Sequence, residues 1–115
     1  MTDPMPTVRS LDDAPSYEQN EPGEAYFNML INKGEIPGIQ MGHVHLKGPI
    51  HKTPGAHDEF HQSYFLYDGS GTIHIGDKTK NVQAPTVVII PKNTTHSVEV
   101  AGNKELRYIY VNQYS

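Results

Sequence analysis

Pro85-Thr86-Val87-Val88-Ile89-Ile90-Pro91-Lys92-Asn93-Thr94-Thr95-His96-Ser97-Val98-Glu99-Val100 is the stretch that decides the fold. Its apolar run reads as a buried strand, bounded by prolines that cannot donate to a ladder. Asn93 tolerates positive φ better than most residues and supplies the turn. A second strand begins at His96, and period-two alternation places His96 on the same face as Val98 and Val100. His96 is therefore expected to point inward.

A second histidine-bearing segment, Gly55-Ala56-His57-Asp58-Glu59-Phe60-His61-Gln62, lies upstream, also at a strand edge. Together the two segments read as one pocket assembled from distant strands. Further out, the runs Tyr26-Phe27-Asn28-Met29-Leu30-Ile31-Asn32 and Ile39-Gln40-Met41-Gly42-His43-Val44-His45-Leu46 flank the turn signal Lys33-Gly34-Glu35. A hairpin is expected there, although Phe27 and Ile31 also suit a helical face. After Gly48-Pro49 the chain is expected to break into strands at Gly69-Ser70-Gly71, Gly76-Asp77-Lys78, Pro91-Lys92-Asn93 and Gly102-Asn103. Short strands at this spacing leave little room for helices and indicate an all-β antiparallel jelly-roll β-barrel.

The 115 residues suffice for one core and one domain. Residues 1–24 carry six acids against the single Arg9 and little apolar periodicity. They are expected to form an arm that is disordered, packs across the barrel or packs on a neighbouring subunit, with Val8, Leu11 and Tyr17 as its anchors. Residues 25–115 are expected to form the barrel. The chain has no cysteine, so any metal must be held by imidazole and oxygen. A net charge of −4 with nine scattered Lys and Arg argues against a nucleic-acid partner. No apolar run approaches spanning length and no signal-peptide pattern opens the chain, so no membrane partner and a cytoplasmic location are expected.

These residues resemble the cupin superfamily. Its later motif reads Gly, five residues, Pro-x-Gly-x-x-His-x-x-x-Asn, and maps with full spacing onto Pro85, Pro91, Asn93, His96 and Val100. Only Pro91 and His96 match literally. Its earlier motif, anchored at Gly69, places Gln62 at the usual glutamate, His57 at the second histidine and Gly55 at the first. The resemblance spans about residues 38–111.

The resemblance implies a small-molecule pocket at one mouth of the barrel, with a divalent transition metal (iron, manganese, nickel, copper or zinc) on His57, Gln62, His96 and a fourth group. His61 or Glu59 would complete that set if a bulge turned it inward, and His51 is a more distant candidate. Glu59 is a candidate general base, and Tyr64 a candidate donor to a developing oxyanion. Tyr64, Leu66, Val98 and Tyr108 are expected to line the substrate cavity, with Val100 and Tyr110 nearby. His43 and His45 share a strand face and read as surface histidines of an edge strand, and His74 is expected to face out. The leading expectation is a metal-dependent enzyme, a dioxygenase, isomerase, cyclase or lyase acting on a small oxygenated substrate. The alternative is a non-catalytic barrel that binds or senses a sugar or other small effector. A homodimer, with the arm clasping the exposed edge from Tyr26 to Ile31, is compatible with both.

Overall fold

The computed structural model describes residues 7–17 and 24–114. Nine strands follow in chain order: β1 (Ser16–Tyr17), β2 (Glu24–Ile36), β3 (Ile39–Lys47), β4 (Ile50–His51), β5 (Phe60–Ile75), β6 (Lys78–Gln83), β7 (Thr86–Ile90), β8 (His96–Val100) and β9 (Glu105–Tyr114). Every pairing is antiparallel, and no helix occurs among the described residues.

The longest strand joins the two halves of the barrel. The first part of β5 lies between β9 and β7, and its last part lies between β6 and β8. The handover occurs where the pairing with β9 shifts register between Leu66 and Asp68. Gly69 follows at φ +92°, where an added Cβ would run into the Glu105 carbonyl. Only glycine meets both conditions. The Gly69-Ser70-Gly71 segment therefore bends one strand instead of separating two, because its backbone continues to pair through the bend.

The β2–β3 hairpin forms as the run pattern suggests, but its turn is at Pro37-Gly38. The Lys33-Gly34-Glu35 signal is spent on an irregular stretch of β2, where register slips twice between Met29 and Ile36. There the Glu35 carboxylate accepts from the Asn32 backbone N–H at 2.7 Å and from Arg9 at 2.9 and 3.0 Å. Residues 7–17 lie on this chain's own β2: Ser16 pairs with Asn28, Tyr17 with Phe27, and the Met29 N–H donates to the Pro15 carbonyl at 2.8 Å. Part of the edge from Tyr26 to Ile31 is thus covered within one chain. Tyr17 packs against Phe27, whereas Val8 is fully exposed and Leu11 largely so.

Alternation then sorts the side chains. Reading along each inward row, β9 presents Leu106, Tyr108, Tyr110 and Asn112, and β3 presents Leu46, Val44, Gly42 and Gln40. Beside β9 in the same sheet β5 presents Leu66, Tyr64 and Gln62, and in the other half β8 presents Val100, Val98 and His96. Every row runs from aliphatic to polar in the same direction. Leu46, Leu66 and Leu106 close the base with no exposed surface, and amides and imidazoles ring the other end. These leucines belong to one continuous apolar core with Val44, Val98, Val100 and Tyr108, whose burial stabilises the fold at about 25 cal/mol per Å² of apolar area.

Candidate active or binding site

The polar end holds a cavity of about 460 Å³, within the range typical of small-molecule sites. His57, Gln62, Tyr64, His96, Val98 and Tyr108 all line it, as expected from the sequence. The two histidine segments are stitched together by backbone. Gly55 and His96 exchange two hydrogen bonds, at 3.1 and 2.9 Å, and the Asn93 N–H donates to the His57 carbonyl at 2.6 Å. Asn93 makes that turn at φ +66°. As a result the His57 and His96 ring centroids stand 5.1 Å apart although the residues are 39 positions apart in sequence.

Each imidazole is held in a defined state. His96 Nδ1 lies 2.9 Å from the Thr94 carbonyl, which can only accept, so Nδ1 carries a proton and the neutral ring has its acceptor at Nε2. His57 stacks on Phe60 with centroids 4.5 Å apart. Burial, then the nearby His96 and Lys52, lower its pKa below the ordinary imidazole value, so it is neutral at pH 7.

Below the imidazoles runs a row of amides. Gln62 Nε2 donates to Asn112 Oδ1 at 2.8 Å, Asn112 Nδ2 to Gln40 Oε1 at 3.0 Å, and the Tyr114 hydroxyl to the same Gln40 oxygen at 3.2 Å. Two donors on one Gln40 oxygen set the direction of the row. Its far end, Gln62 Oε1, is buried without a partner among the described residues. A buried acceptor left unsatisfied costs about 1–3 kcal/mol, so this oxygen calls for a donor from whatever fills the cavity.

Tyrosines form the remaining wall. Tyr64 and Tyr108 rings lie 4.7 Å apart, and the Tyr17 and Tyr110 hydroxyls are 2.7 Å apart. Burial pushes the Tyr64 phenol well above its ordinary pKa, and burial followed by the Tyr110 hydrogen bond does the same for Tyr17. Tyr17 and Tyr64 therefore stay protonated at neutral pH. Gly42 makes room for the Tyr110 ring, which an added Cβ would strike.

Three expected site residues lie elsewhere. His61 alternates with the inward Gln62 and faces out, where its Nδ1 accepts from the Lys92 backbone N–H at 3.1 Å. Glu59 is exposed and lies 3.8 Å from Lys33 Nζ. No bulge reverses either side chain, because the register shift in β5 comes later, after Leu66. Leu66 is inward but sits in the closed base, below the cavity.

The other histidines also differ in part from expectation. His43 is only 5% exposed, because β3 is flanked by β2 and β9 and is no edge. Its Nε2 bonds the Tyr67 hydroxyl on the outer face. His74 faces out as expected, and both it and His51 lie 3.1 Å from Glu99 Oε1.

Lining residues not foreseen include Lys52, Gln40 and Asn112. Gln40 and Asn112 were within reach of the alternation, being in phase with Val44 and with Tyr108. Lys52 follows β4 in irregular chain, and no periodic signal marks it. Its backbone N–H bonds the Val98 carbonyl at 2.9 Å, and its ammonium lies 5.3 Å from the Phe27 ring centroid.

An all-β barrel with an aliphatic base and an imidazole- and amide-lined mouth defines a cupin, and solved structures share the fold. The chain is similar to a predicted oxalate decarboxylase from Thermotoga maritima, with TM-score 0.85 and 18% identity over 95% of this chain and 100% of that one. It is similar to the polyketide cyclase RemF from Streptomyces resistomycificus, with TM-score 0.83 and 18% identity over 95% and 80%. KdgF from Halomonas sp. gives TM-score 0.76 and 14% identity over 95% and 96%. Within this class the chain belongs to the family of AraC-like ligand binding domains, whose model matches residues 37–113. A search of curated proteins found no match.

The donor set falls short of what a resident transition metal requires. The cavity offers two imidazoles and the unpaired amide oxygen of Gln62, and its described lining includes a lysine but no carboxylate. Among the described residues no three His, Asp or Glu side chains are placed to hold an ion. Cysteine-free catalytic sites hold such metals with three imidazoles, or two and a carboxylate.

Proposed function

We propose that this domain is a metal-independent binding module for a small, hydroxylated organic anion. The observation that carries the reading is the partnerless Gln62 Oε1 in a cavity whose lining contains Lys52, His57 and His96 but no Asp or Glu among the described residues. The oxygen requires a hydroxyl or N–H donor. The lysine ammonium favours an acidic group on the same ligand, and the imidazoles are placed to hydrogen-bond it. Tyr64, Tyr108 and Tyr110 supply flat apolar surface for its carbon skeleton. The family's ligand-binding description supports the same reading.

The test is a thermal-shift and calorimetric comparison of gluconate with glucose and glucosamine, each with and without EDTA. At a hundredfold excess over Kd, a ligand adds about 2.7 kcal/mol, a Tm rise on the order of 10 °C for a domain of this size. The expected result is stabilisation by the acid above the neutral sugar and the amine, unchanged by EDTA. A response that appears only after metal loading would overturn the reading and favour metal-dependent chemistry at His57 and His96.

A further inference from the structure

Glycines in this barrel are of two kinds. At Gly48 and Gly69 an added Cβ would collide with backbone carbonyls, and at Gly42 with the Tyr110 ring. Gly55 differs from all three. Among the described residues nothing lies within 4 Å of the position its Cβ would take, and its φ is not in the left-handed region. Neither crowding nor backbone conformation requires a glycine there.

The direction of that open space follows from pairing. Gly55 stands directly opposite His96 in an antiparallel bridge closed by two hydrogen bonds. Directly opposed residues project to the same side of the ladder, with Cβ atoms about 4.5–5.5 Å apart. His96 projects into the cavity, and Gly55 itself lines it. A side chain at position 55 would therefore stand beside His96 and near His57.

We infer that Gly55 decides what this cavity holds: the missing side chain leaves the wall beside His96 open to an organic ligand, whereas an imidazole there would turn the same cavity into a metal site. The inference rests on the metal-independent reading above. Two imidazoles 5.1 Å apart, centroid to centroid, with Nε2 of His96 left as an acceptor, lack one donor for a three-imidazole set. Position 55 is where the fold has unoccupied room for it. In the natural chain the imidazoles instead meet the ligand directly as hydrogen-bonding groups.

The experiment titrates chelator-treated full-length protein with Zn²⁺ by calorimetry and measures bound zinc after gel filtration. Wild type, Gly55→His, Gly55→Cys and Gly55→Ala are compared, each also with His96→Ala, and folding is checked by circular dichroism and Tm. Gly55→His and Gly55→Cys are expected to bind one equivalent of zinc roughly tenfold or more tighter than wild type, with the gain lost on adding His96→Ala. Gly55→Ala is expected to bind zinc as wild type does. Should Gly55→His fail to fold, Gly55→Cys decides the matter with a smaller side chain. Folded Gly55→His and Gly55→Cys proteins with wild-type zinc affinity would overturn this inference and leave the metal-independent reading standing. One tight, His96-dependent equivalent in wild type would overturn that reading and the inference with it.

Discussion

Three side chains, His57, Gln62 and His96, converge on the cavity, and the sequence marked them in two ways. His96 follows from strict alternation with Val98 and Val100. Gln62 and His57 follow from spacing to Gly69, which the resemblance supplied. Their partners were not legible, since Asn112 and Gln40 reach Gln62 through pairing of β5 with β9 and β9 with β3. That pairing makes Asn112 the middle of the amide row, so Asn112→Leu would leave Gln62 Nε2 and Gln40 Oε1 short of partners. A loss of about 2–5 kcal/mol in urea unfolding is expected. Gln62→Met acts differently, because it removes a buried oxygen that has no hydrogen-bond partner among the described residues. Its expected signature is a roughly tenfold weaker response to gluconate, with the cost to folding confined to the orphaned Asn112 oxygen.

Strands were easier to read than their joints. The runs that became β7 and β8 carry their own punctuation in Pro85, Pro91 and Asn93, and local backbone rules suffice there. Gly69-Ser70-Gly71 was misleading, because the same residue type serves a turn between strands and a bend within one. Only the neighbouring β9 backbone distinguishes them. Gly69→Ala combines positive φ with a collision at the Glu105 carbonyl, and a loss of at least about 2 kcal/mol in chemical unfolding is expected. The arm is a second joint that pairing decided. Arg9 holds the Glu35 carboxyl well below the ordinary carboxylate range, at about 2. Arg9→Ala should raise the Glu35 titration by NMR only part of the way to the ordinary carboxylate range, because Asn32 still donates to it, and speed limited proteolysis within residues 7–17, with the barrel core unaffected.

For the molecule as a whole, the imidazoles set the acid limb of stability. His43 and His57 both have lowered pKa values, each chiefly from burial, with His45 and Arg107 adding to the effect at His43. The unfolded chain takes up protons near pH 6.5 that the folded chain refuses. Stability is therefore full above that pH and falls as pH drops through it, before the carboxylates titrate. The expected observation is a Tm that declines between pH 7.5 and 5 and declines less steeply in His43→Gln. The sequence by itself determined the antiparallel all-β class, the barrel's inward faces and the meeting of the two histidine segments, because alternation, proline and turn residues act within a few residues. Tertiary structure alone decided which inward residues sit at the mouth and which in the base, that His61 and Glu59 face away, that Lys52 joins the cavity, and that Gln62 Oε1 is left unpartnered. Those outcomes depend on register between strands far apart in sequence, and register is set by the packing of the whole sheet.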